Sequence, residues 1–120
     1  METSGADDPV TVYLREVSNV EPLTKDEESR LFRQLSSRGN WDGVKESIAR
    51  RLIENRLALV VRIAEINSAS GVPMLDLIQE GNIGLMNAVR SFAQTPIGNF
   101  GDYATACIEK AITKSLDKSK

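Results

Sequence analysis

The stretch 72–92, VPMLDLIQEGNIGLMNAVRSF, constrains the fold of this chain more than any other. Met74, Ile78, Leu85, Val89 and Phe92 recur at intervals of three and four, which lays them along one face of a helix, and Leu75, Leu77 and Ala88 broaden that face. Pro73 suits the first helical turn, where its missing N–H costs nothing. Left facing outward are Asp76, Gln79, Glu80, Asn87 and Arg90, with Asn82, Ile83 and Met86 beside them. Such a mixture of carboxylates, amides and bare apolar side chains differs from the Lys and Glu pairs of a solvated face. Gly81 and Gly84 sit inside the helix, where each costs about 1 kcal/mol relative to Ala, and a closely approaching backbone would offset that cost. Two readings follow: a tight helix crossing in the core, and a docking surface for a partner.

The remainder of the chain reads as helices around this one. Residues 1–7 are small and acidic without periodicity, the pattern of a disordered tail. Val10, Tyr13, Leu14 and Val17 share one face of a short helix, with Asp7 and Asp8 at the positive end of its dipole. Thr24 and Glu27 form a capping box that opens a second helix with Leu31, Phe32 and Leu35 inward, and SSRGNWDG (36–43) closes it. A long third helix is expected over 44–68. Val44, Ile48, Leu52, Ile53, Leu57, Val60 and Ala64 carry its first stripe and Leu59, Ile63 and Ile66 a second, so it should be a central strut between neighbours. Gly71 and Pro73 separate it from the helix 73–92. After a loop over 93–101, helical spacing returns through Ala104, Ile108, Ala111, Ile112 and Leu116. The reading is all-α: one domain, a compact bundle of about five helices, with a tail 1–7, an amino-terminal helical segment 8–43 and a core 44–120.

Composition narrows the chemistry. Among 120 residues there is no histidine and a single cysteine, Cys107, which removes the usual zinc, iron and copper sites and most nucleophile–base pairs. No metal, cofactor or enzymatic activity is expected, and Cys107 reads as a small core or groove residue. With 41% hydrophobic but only 5% aromatic residues, aliphatic side chains must fill the core. No signal peptide or apolar run of membrane-spanning length is present, so a cytoplasmic location is expected. The net charge of −2 argues against gripping duplex DNA by bulk charge. Contact with nucleic acid would be local or arranged by a partner. Lys110, Lys114 and Lys118, four apart, form a stripe that could follow a DNA backbone or simply favour the helix C-terminus.

LDLIQEGNIGLMNAV (75–89) is very similar to the segment by which bacterial primary-type sigma factors grip the clamp coiled coil of RNA polymerase. LIENRLALVVRIA (52–64), DPVTVYLREV (8–17), PLTKDEE (22–28) and NFGDYATACIEKAITKSL (99–116) resemble further segments of that family in its order. The resemblance implies the clamp-binding and minus-ten-reading domain of a sigma factor, with a clamp-binding helix over 73–92 and a promoter-facing helix over 101–118. It places Asp76, Gln79, Glu80, Asn82 and Met86 against the clamp, where arginines of a coiled coil would meet carboxylates and amides. On the DNA side it implies Phe92, Phe100, Tyr103, Thr105 and Thr113, with Lys110 and Lys114 on the backbone and Leu14 and Arg15 just downstream of the minus-ten element. The partners implied are RNA polymerase core and, through it, promoter DNA.

The promoter-facing segment also departs from the family. Gly98 stands for an aromatic, Thr95 and Pro96 for basic residues, Ala106 and Cys107 for paired tryptophans, Glu109 for arginine and Lys110 for glutamine. Lost stacking surface costs about 1–3 kcal/mol per base. The first expectation is therefore a sigma-factor-like initiation protein that binds the clamp and contacts minus-ten DNA of a non-standard promoter. The alternative is a degenerate relative that occupies the clamp without melting DNA and acts as regulator or competitor. A helical scaffold with no nucleic-acid role is the third.

Overall fold

The computed structural model describes residues 8–118. Among them the chain forms six α-helices: α1 (Pro9–Ser18), α2 (Lys25–Leu35), α3 (Gly43–Glu54), α4 (Leu57–Ile66), α5 (Met74–Gln94) and α6 (Phe100–Lys118). A 3-10 turn, Ser68–Ser70, leads from α4 toward α5, and no strand occurs among the described residues. The all-α architecture is the one the periodicity implies. The expected tail over 1–7, including Asp7, lies outside the described residues.

Local signals set most helix starts. Asp8 caps α1, its carboxylate accepting the Val10 N–H at 3.4 Å. Both bonds of the capping box are made: the Thr24 N–H donates to Glu27 at 2.9 Å and the Glu27 N–H to the Thr24 hydroxyl at 3.1 Å. Asp42 opens α3 by accepting the Lys45 N–H at 3.0 Å. Gly71 ends the 3-10 turn with φ +91°, a left-handed conformation that suits glycine, and Pro73 precedes the first residue of α5.

The expected third helix over 44–68 is in fact two. Its ladder breaks at Asn55 and Arg56, where Arg56 takes φ −124° and ψ 11° and its N–H donates to Ile53 at 2.9 Å. Tertiary partners hold the break. The Asn55 side chain accepts the Leu23 N–H at 2.9 Å, and one Arg56 guanidinium nitrogen reaches both oxygens of Glu28, at 2.9 and 3.1 Å. Val44 and Ile66, expected to face inward, are exposed, one at each outer end of the pair. Leu52, Val60, Val61 and Ala64 are fully buried, so α3 and α4 together take the sandwiched position expected of a single strut.

Helices α5 and α6 form the main packed pair. Leu77, Leu85, Ala88 and Val89 of α5 and Ala104, Ile108 and Ile112 of α6 are all without solvent exposure. A Cβ at Gly84 would lie 2.8 Å from the Ala111 Cβ and 2.9 Å from the Cys107 carbonyl oxygen; one at Gly81 would lie 2.6 Å from Val60 Cγ1. The glycines therefore serve the helix crossing, against α6 at Gly84 and against α4 at Gly81. Leu75, expected to broaden the buried face, is exposed instead.

Candidate functional site

With both glycines committed to packing, the outward side of α5 carries Asp76, Gln79, Glu80, Ile83, Met86 and Asn87, all exposed. Neither Asp76 nor Glu80 makes an ion pair among the described residues. Ile83 is 51% exposed and Met86 47%, so bare apolar surface lies beside and beyond the two carboxylates along α5. That combination can bind a partner offering both guanidinium groups and apolar stems.

Asn82 behaves differently from the four residues grouped with it in sequence. It is half-buried, its amide donates to the Tyr13 hydroxyl at 3.2 Å, and its side-chain oxygen is buried without a partner among the described residues. Position 82 thus turns toward α1 rather than outward. Arg90 is exposed yet engaged: its guanidinium lies 4.6 Å over the Trp41 ring and 3.3 Å from Glu46, whose carboxylate also accepts the Trp41 indole N–H.

The aromatic candidates are brought together, but inward. Phe92 is 7% and Phe100 4% exposed. Their rings stand 5.2 Å apart, and Phe32 sits 4.9 Å from the first and 4.7 Å from the second. Arg56 lies 5.2 Å over Phe100, coupling this cluster to the α3–α4 break. Phe92 and Phe100, expected on the DNA side, are thus buried in this structure, where they fill a core short of large side chains. Tyr103 is half-buried, its ring 5.7 Å from Phe92.

Other DNA-side candidates divide by exposure. Lys110, Thr113 and Lys114 are exposed on α6, as are Ala106 and Glu109. Thr105 is half-buried, its hydroxyl donating to the Gly101 carbonyl at 2.9 Å. Leu14 packs against the core, and Arg15 is exposed in the last turn of α1. Cys107 is half-buried in a groove between α5 and α6. No helix among the described residues is long and apolar enough to cross a membrane.

Glu28 and Arg56 are not marked by sequence pattern, because their pairing spans 28 positions. Phe32 was legible only as an apolar position of α2. Its place between Phe92 and Phe100 depends on how α2 meets α5 and the start of α6.

Residues 52–120 match the family model described as Sigma-70 region 2. The RNA polymerase sigma factor SigA of Lactococcus lactis subsp. cremoris is 44% identical over 110 residues, 92% of this chain and 29% of that protein. SigA of a Bacillus species is 42% identical over 109 residues, 91% of this chain and 27% of its own length. SigA of Clostridium acetobutylicum is 41% identical over 110 residues, covering 92% and 28%. The chain thus spans less than a third of the length of these relatives.

Proposed function

We propose a function from one premise: the chain belongs to the Sigma-70 region 2 family. It docks on RNA polymerase core through the outward side of α5, against the clamp coiled coil, and takes part in transcription initiation with α6 turned toward promoter DNA. The observation that carries this reading is the exposed face of Asp76, Gln79, Glu80, Ile83 and Met86, whose carboxylates make no ion pair among the described residues, left outward because Gly81 and Gly84 seat the other side against α4 and α6. Arginines of a coiled coil would find two unpaired carboxylates, with Ile83 and Met86 supplying apolar contact. Asn82 contributes by holding α1 beside that face rather than by projecting from it.

The DNA side is supported by Tyr103, Thr113, Arg15 and the exposed lysines Lys110 and Lys114. A second reading, clamp occupancy without strand capture, draws support from the burial of Phe92 and Phe100 and from Ala106 and Glu109 on the exposed side of α6. The two readings share the clamp contact and part at the bases.

Purified chain titrated with core polymerase, and with an isolated clamp coiled coil, tests the shared part. Reversing charge at Asp76 and Glu80 together should weaken binding by about 2–5 kcal/mol while leaving helicity unchanged. Unchanged affinity would move the docking surface off α5.

A further inference from the structure

The open groove between α5 and α6 has a volume of about 310 Å³. Ile83, Gly84 and Ala111 form its apolar floor, and Lys110, Lys114 and Lys118 line the α6 side. Gly84 creates it: α6 approaches until Ala111 and the Cys107 carbonyl occupy the space a Cβ would need, leaving a cleft above the contact. None of the three lysines makes an ion pair among the described residues, and Glu80 is the one carboxylate on the lining. A volume of about 150 Å³ admits one benzene-sized group, so this groove has room for about two apolar anchors.

We infer that the groove binds an acidic amphipathic segment of a second protein, its apolar side chains entering against Ile83 and Ala111 and its carboxylates meeting Lys110, Lys114 and Lys118. Three lysines at intervals of four rise about 6 Å apart along α6, the spacing at which a helical ligand repeats its own side chains at i and i+4. An apolar floor beside a charged rim is the arrangement by which grooves seat amphipathic helices. A nucleic-acid backbone fits less well. It brings negative charge as the acidic segment does, but it offers nothing apolar to Ile83, Gly84 and Ala111. The inference goes beyond clamp docking, with which it shares only Glu80 and Ile83 at the edge, and it draws on Lys110 and Lys114, for which promoter DNA and the acidic segment would compete.

The test uses the whole chain and a fluorescent synthetic helix with leucines at three-and-four spacing and glutamates on its flanks. A scramble of the same composition and a duplex DNA of arbitrary sequence serve as competitors, with anisotropy read at physiological salt. The amphipathic peptide should bind roughly tenfold more tightly than the scramble, and Lys110→Glu with Lys114→Glu should cost at least as much. Ile83→Asp, at an exposed position, should weaken the peptide as well, and amide shifts on titration should centre on Ile83, Gly84 and Ala111. Equal binding of peptide and scramble, or no binding of either, overturns the inference. So does DNA binding that outcompetes the peptide and vanishes on the lysine reversal, which would make the groove a phosphate track. Clamp affinity of the lysine variants is read separately, so either proposal can fail alone.

Discussion

A Cβ placed on Gly84 would stand 2.9 Å from the carbonyl oxygen of Cys107, so α5 and α6 touch at a point where neither backbone can retreat without disturbing its own helix. Alanine would gain about 1 kcal/mol of helix propensity there, but overpacking costs typically about 1–3 kcal/mol. Gly84→Ala should therefore lower the melting temperature. Gly81→Ala should do the same through Val60 Cγ1, 2.6 Å from the new atom. Thermal unfolding of both variants, followed by circular dichroism, decides the sign. A stabilised Gly84→Ala would mean that the crossing is looser than described.

Glu28 and Arg56 tie α2 to the α3–α4 break with side chains only 14% and 24% exposed. Removing one partner leaves the other charge poorly compensated, so Arg56→Ala should destabilise by about 2–4 kcal/mol. Urea titration measures this. Glu28→Gln, which keeps one acceptor, should cost less than Arg56→Ala.

The Glu27 carboxyl is held below its ordinary value of 4.5, first by the Thr24 backbone N–H it accepts and then by the Thr24 side chain. A carboxylate with a lowered folded-state pKa contributes stability above its unfolded value and loses it as pH falls through the folded one. Acidification should therefore weaken the start of α2, and Glu27→Gln should remove that part of the pH dependence. Melts of parent and variant at neutral and strongly acidic pH make the comparison, with an equal acid response in both counting against the assignment.

Stacking capacity on α6 can be restored without touching the helix crossing. Ala106 and Glu109 are exposed, so Ala106→Trp with Glu109→Arg should leave the fold intact. The variant should acquire a preference for a single-stranded minus-ten oligonucleotide over a scrambled one of about 1–3 kcal/mol, one stacked base's worth, with part of it surviving high salt. If the parent already discriminates as strongly, Tyr103 and the remaining α6 residues suffice, and clamp occupancy without strand capture is the wrong reading.

The clearest sequence signals were those that act within a turn or two. The capping box at Thr24 and Glu27, the stop at Gly71 and the buried stripe of α5 are fixed by neighbours three or four residues away, and each appears in the structure. The α3–α4 break was not legible, because nothing near Asn55 and Arg56 stops a helix; Leu23 and Glu28 do, from across the fold. Exposure at the ends misled in a similar way, since Val44 and Ile66 keep the helical period but run past the neighbours that would cover them. On α5 the spacing correctly set Asp76, Gln79, Glu80 and Met86 outward. Asn82 escaped because its orientation is decided by Tyr13. Phe92 and Phe100 were placed on the DNA side by resemblance alone; their burial in the cluster around Phe32 depends on partners far away in sequence.

The joint at Asn55 and Arg56 has a consequence for how the chain can be divided. Its two clasps, the Leu23 N–H and the Glu28 carboxylate, both belong to the first third of the sequence, while the rigid parts they set belong to the rest. A fragment beginning at residue 43 would keep every residue of α3 and α4 but lose these two clasps, leaving an apolar period free to run on as one rod. The amino-terminal segment is then less a neighbour of the helical core than its hinge pin, and cutting it away would alter the shape of a part it is barely joined to along the chain.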